Sequence, residues 1–152
     1  MVEISWRVLA AFLLVIPVAG CGGGGSSAPA ACLVTGTWSF SVTPTSNTGG
    51  ACANISSASG TYTITVTGSQ YSMVDDGGNA YSGTLNETDC SVAATATVSS
   101  QETGYTLTVT DSPTLKFNGN SFSGTGTLSV TTNPEQTGTP CSVQYTESGS
   151  RQ

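Results

Sequence analysis

The chain has 152 residues, with nine acidic side chains against three basic ones, no histidine and a net charge of −6. With no basic patch to neutralise phosphates, the composition argues against nucleic acid and against electrostatic docking on anionic lipid. The missing histidine removes the usual general base near neutral pH, the commonest metal ligand and every Ser-His-Asp or Cys-His constellation.

In chain order, residues 1–20 come first. Val8 to Val18 is apolar apart from Pro17, which is about half of the ~20 residues a membrane-spanning helix needs. A short apolar core ending in small residues reads as a cleaved signal peptide. The sequence Val18-Ala19-Gly20-Cys21 resembles the bacterial lipobox. The resemblance implies cleavage before Cys21, a diacylglyceryl group on its thiol and acylation of the new amino terminus. Two or three chains on one residue make a durable anchor, where a single chain binds only marginally. Gly22, rather than Asp, follows the lipidated position, and the resemblance then points to the outer membrane. Residues 21–31 read as the lipidated cysteine and a flexible Gly/Ser tether. The expected location is extracytoplasmic, with the membrane as a partner through the lipid on Cys21.

Residues 32–152 have the size of one domain. Five cysteines are present, and an odd number outside the cytoplasm needs an explanation. Lipidation of Cys21 supplies it and leaves Cys32, Cys52, Cys90 and Cys141 for two disulfides in an oxidising compartment. Three pairings are open. Because no close Cys-x-x-Cys pair exists among them, a thiolate metal site is not expected. No other metal site and no cofactor is expected either.

Alternation with period two dominates from Gly36 onward. Trp38, Phe40 and Val42 share one face; so do Tyr62, Ile64 and Val66, then Tyr105, Leu107 and Val109, and Val143 with Tyr145. Their polar partners are mostly Thr and Ser, suited to a half-exposed sheet. Strands are expected at 35–43, 59–67, 70–75, 79–86, 90–98, 103–110, 113–118, 121–131 and 140–147. Turn residues such as Asp76-Gly77-Gly78-Asn79 and Asn118-Gly119-Asn120 separate them. Short connections predict an antiparallel meander, with longer loops only at 44–58 and 132–139. The expectation is an all-β domain, a small barrel of about eight or nine strands, with a β-sandwich as the alternative. Small residues at Gly83, Ala94, Ala96, Gly124 and Gly126 fall on the expected inner face, where they permit tight curvature.

Gly36-Thr37-Trp38 opens the first strand and Arg151 lies beyond the last. This combination resembles lipocalins and their calycin relatives, which begin with Gly-x-Trp. The resemblance implies a basic residue from the end of the barrel lying across that Trp.

Chemistry is sparse. Ser-Lys catalysis would need Lys116, which alternation turns outward. Asp75-Asp76 sits in a run of turn residues, which favours a hairpin over a paired-carboxylate or calcium site. The aromatic residues Trp38, Tyr62, Tyr105 and Tyr145 are the candidates for a pocket that takes a small apolar or sugar-like ligand. The expected function is a non-enzymatic, membrane-anchored barrel that binds a small ligand or a cell-envelope protein. The alternative is a structural or adhesive surface module. An enzyme would require two clustered, desolvated carboxylates.

Overall fold

The computed structural model describes residues 32–152. The expected leader, the lipid-bearing Cys21 and the tether lie outside the described residues. Eight strands follow in order: β1 Gly36–Asn47, β2 Ala58–Thr67, β3 Gln70–Asp75, β4 Ala80–Asn86, β5 Ser91–Glu102, β6 Tyr105–Asn118, β7 Ser121–Asn133 and β8 Cys141–Arg151. One 3₁₀ turn, Gly50–Cys52, interrupts the β1–β2 connection. Each strand pairs antiparallel with the next, and β8 pairs with β1 to close the barrel. That last pairing, from Trp38 opposite Arg151 to Asn47 opposite Val143, decides for a barrel over a sandwich. Closure also removes the free edges along which sheets aggregate.

The two segments expected at 103–110 and 113–118 are one strand. Asp111-Ser112-Pro113 has the composition of a break, and Pro lacks the N–H a sheet ladder needs. The barrel tolerates it because the β5–β6 pairing lapses between Ala93↔Thr114 and Ala96↔Asp111, while β7 pairs with β6 straight through Pro113↔Gly126.

Period-two alternation sends Thr and Ser outward and two apolar clusters inward. One cluster holds Val34, Trp38, Tyr62, Ile64, Tyr71 and Met73 with Phe117 and Phe122 from the opposite wall. The other gathers Val42, Leu128, Val130, Val143 and Tyr145 around Cys52 and Cys141. Curvature is permitted by glycines facing inward. A side chain at Gly124 would strike the Thr114 carbonyl, and one at Gly126 would strike the Tyr145 phenol.

A meander places alternate connections at opposite ends. Residues 32–35, the turns 68–69, 87–90 and 119–120, and the C-terminus share what we call the near end. The connections 48–57, 76–79, 103–104 and 134–140 share the far end. Each end carries one disulfide: Cys32–Cys90 at the near end and Cys52–Cys141 at the far end. Their Cα separations of 5.5 and 5.9 Å fall in the ordinary range for such bridges. Paired cysteines are characteristic of an oxidising, extracytoplasmic compartment.

Candidate functional site

The near end is closed by its own chain. Val34, in the segment 32–35, is buried, and its carbonyl accepts a 2.8 Å hydrogen bond from the Trp38 indole N–H. Trp38 is wholly buried and packs edge-on against Phe117 and Phe122, with ring centroids 5.3 and 5.8 Å away. The Arg151 guanidinium lies across the indole, 5.8 Å from its centroid, and donates to the carbonyls of Leu33 and Thr35. Gly36 permits this. Its φ of +145° suits glycine, and a side chain there would crowd the guanidinium. The geometry is the one that the Gly-x-Trp resemblance implied.

Between the two ends, the waist of the barrel is polar. Asp111 on β6 accepts hydrogen bonds from the Tyr81 hydroxyl at 3.0 Å and the Tyr145 hydroxyl at 2.6 Å. Burial pushes its carboxyl above the ordinary carboxylate range, and those two hydroxyls oppose the rise. Glu147 on β8 is 3 % exposed. Burial pushes its pKa up to about 7. The Tyr62 hydroxyl opposes that rise and the Asp111 charge adds to it. Neither Glu147 oxygen has a partner at hydrogen-bonding geometry. The phenols of Tyr62, Tyr81 and Tyr145 are all pushed upward, first by burial and then by these carboxylates. Tyr71 is raised in the same way, by burial and then by Glu147, and its hydroxyl donates to the Met73 sulfur.

At the far end, a cleft of about 30 Å³ lies between the 3₁₀ turn, the 134–140 loop and the inner face of β6 and β7. Ala51, Tyr105, Leu107 and Val130 line it, with Gln136 and Thr139 at its rim. That volume holds one or two waters, far less than a drug-sized ligand fills. The two loops are tied together by the bond from Ala51 N–H to the Gly138 carbonyl and by the nearby Cys52–Cys141 bridge.

The four aromatic candidates therefore do not meet in one pocket. Trp38 sits in the near-end core, Tyr62 and Tyr145 face the waist carboxyls, and Tyr105 lines the far-end cleft. Asp75 closes the 76–79 hairpin by accepting from the Asn79 backbone and side chain, at 2.7 and 2.8 Å. Lys116 is exposed on the outer face of β6. Among the described residues, no cluster of three or more His, Cys, Asp or Glu side chains could hold a metal ion. Asp111 and Glu147 were not singled out from the sequence, although the signal was there. Each continues an alternating inward row: Tyr105, Leu107, Val109, then Asp111, and Val143, Tyr145, then Glu147.

Charge divides with the architecture. At the near end Lys116 and Arg151 balance Glu87 and Asp89, while Asp75, Asp76, Glu102, Asp111, Glu135 and Glu147 sit at the waist or far end. Those six acids equal the whole net charge of −6. Comparison with family models, with curated proteins and with solved structures finds no match.

Proposed function

We propose that this protein is an extracytoplasmic, lipid-anchored, lipocalin-like barrel that works by binding at its far end and catalyses nothing. The observation that carries the reading is the opposition of the two ends. The chain enters at Cys32, on the end sealed by Val34, Trp38 and Arg151. Both long connections, the apolar cleft and the net charge lie at or towards the other end. A barrel tethered through residues 21–31 would hold its sealed end towards the bilayer and present the far end to ligands or envelope partners.

The buried carboxyl pair favours a second reading. A pair of carboxyl groups, one protonated as the acid and the other ionised, is what glycoside hydrolysis uses. Against it, Glu147 is almost fully enclosed, and the cleft beside Tyr105 is too small for a sugar ring as it stands.

Mass spectrometry of the protein extracted from bacterial envelopes tests the first reading. The expected result is a chain beginning at Cys21, heavier by two or three acyl chains, that fractionates with membranes. Cys21→Ser should remove both the lipid and the membrane association. Native spectra should also show a co-purifying small mass or partner that is lost in Leu107→Arg. A soluble, unmodified wild-type chain would sink the anchoring. Turnover of aryl glycosides that is abolished in Glu147→Gln would transfer the case to the enzyme.

A further inference from the structure

Among the described residues, the waist of the barrel holds two carboxyl groups and no basic side chain. Of the described basic side chains, Lys116 faces solvent and Arg151 is committed to Trp38 and the near-end carbonyls. Asp111 at least receives two phenolic hydrogen bonds. Glu147 receives none at good geometry, although it is 97 % buried. An unpartnered carboxylate in such a place is costly. A hydrocarbon side chain in its place would pack without that cost.

We propose that Asp111 and Glu147, with the ring faces and hydroxyls of Tyr62, Tyr81 and Tyr145 around them, form a binding site for a primary ammonium group. The inference rests on the reading of the far end as the binding end.

Three features select this chemistry. First, an ammonium is donor-only, with three N–H bonds to give, and the unmet need of the site is for donors to Glu147. The Tyr81 and Tyr145 hydroxyls already spend their protons on Asp111, and the Tyr62 hydroxyl beside Glu147 has one proton to give against two carboxyl oxygens. Second, the walls are aromatic. Tyr62 stacks on Phe40 at 4.1 Å and meets Tyr81 edge-on at 6.3 Å, and such faces attract a desolvated cation. Third, a calcium ion seeks six to eight oxygen ligands. Two carboxyls and phenols that donate rather than accept fall short, and no described cluster reaches three acidic ligands.

Any approach to the pair is from the side of Asp111, because Glu147 itself is almost fully enclosed. Asp111 is only partly buried, on the inner face of β6, and feels the charge of Asp75 at the far end. The far end's uncompensated acids would raise the local concentration of cations around the mouth.

The groups that face Glu147 are Tyr62 from β2, Tyr71 from β3, Tyr81 from β4, Asp111 from β6 and Tyr145 from β8. Of these, Glu147, with its pKa pushed up to about 7, is the group that changes charge between pH 5 and 8. A Glu147 proton and an ammonium would therefore compete for the same oxygens.

The test is calorimetric titration of the oxidised full chain at pH 8 with n-butylammonium, n-butanol, tetramethylammonium, calcium chloride and Nα-acetyl-lysine amide. Saturable binding of n-butylammonium is expected, at least tenfold weaker for tetramethylammonium and absent for n-butanol and calcium. Equal affinity for the lysine amide would mark a free small amine as the source. Much tighter binding of the lysine amide would mark a lysine side chain of a partner, and either result supports the site. At pH 5 the affinity should fall at least tenfold, a readout that needs no variant. Glu147→Gln should abolish binding while keeping the near-ultraviolet circular dichroism of the folded barrel. No amine binding, equal binding of butanol, binding unchanged in Glu147→Gln, or calcium binding in place of the amine would each overturn the proposal. A far-end reading that failed alone would show differently. Amines would still bind at Glu147, while Leu107→Arg would leave every co-purifying mass in place.

Discussion

The two ends of this barrel solve opposite problems with the same strand chemistry. At the near end, among the described residues, no buried side-chain nitrogen or oxygen lacks a partner: the Trp38 indole meets the Val34 carbonyl, and Arg151 meets two more carbonyls. Charge is balanced there, and the short turns expose little. Towards the far end the strands β5, β6 and β7 run on beyond β3 and β4, the loops lengthen, and the interior keeps carboxyls without counter-ions. The contrast separates the end built for stability from the region proposed for binding. A region in which each buried polar group is satisfied is built to stay shut. One that carries an unsatisfied carboxylate has given up stability.

The largest effects should come from the bridges, and they compare the ends directly. Cys32–Cys90 spans 58 residues and Cys52–Cys141 spans 89. Chain entropy alone gives ~4 kcal/mol for the first and slightly more for the second. Packing reinforces that order. Cys52 and Cys141 are buried within the second apolar cluster, whereas Cys32 and Cys90 are only partly buried, and the 32–35 segment keeps its bonds to Trp38 and Arg151. The double variant Cys52→Ala/Cys141→Ala should therefore be less stable in urea than Cys32→Ala/Cys90→Ala. The opposite ranking would show that the cover over Trp38 depends on the near-end bridge more than on those bonds.

Next in size is the carboxyl at the waist. Glu147 has its pKa raised from 4.5 to about 7 on folding, so between those values the folded protein holds a proton that the unfolded chain has released. Folding is then favoured below about pH 4.5, as far as this group is concerned, and the advantage is lost as pH rises through 7. Across that window the loss comes to ~3 kcal/mol. Asp111, also raised, acts in the same direction. Glu147→Gln, which imitates the protonated form, should match the wild type near pH 4.5 and exceed it by up to ~3 kcal/mol at pH 8. Melting curves at the two pH values measure this. A wild type whose stability rises from pH 5 to 8 would mean that Glu147 is not enclosed as described.

Much of the barrel was legible because it rests on local pattern. Alternating Thr with apolar residues gave the strands, and small residues at Gly83, Gly124 and Gly126 marked the inner face. The disulfide partners were not legible from spacing, yet closure makes them follow. Cys32 and Cys90 each precede a strand that sets out from the near end, and Cys52 and Cys141 lie where strands set out from the far end, so a meander leaves each only one partner within reach. Asp111 escaped notice for a physical reason. Asp-Ser-Pro normally ends a strand, and only a lapse in the neighbouring ladder lets β6 continue through it. The expected strand 103–110 therefore stopped one residue short. Glu147 lay inside the expected strand 140–147, but a carboxyl on an apolar row runs against burial preference. Such a break in the pattern is where functional sites are expected, and it falls on the residue proposed for binding.

The smallest effect belongs to Arg151, and it probes the end that stays shut. Its guanidinium covers the Trp38 ring and donates to the carbonyls of Leu33 and Thr35. A cation over an indole is worth ~0.5–1 kcal/mol at a partly exposed site. Hydrogen bonds from a charged donor add to that, less the cost of ordering a long side chain. Arg151→Ala should then lose about 1–2 kcal/mol, and Arg151→Lys should recover only part of it, because an ammonium cannot stack flat and fork to two carbonyls. Gly36→Ala should mimic the loss, since its methyl group would enter the space the guanidinium occupies. If Arg151 acts only as this clamp, combining Arg151→Ala with Gly36→Ala should cost less than the sum of the two, because both remove one contact. Amine binding at the waist should not change in any of these variants. A loss there would mean that the closed end and the binding region are mechanically coupled, and that the division between them is drawn in the wrong place.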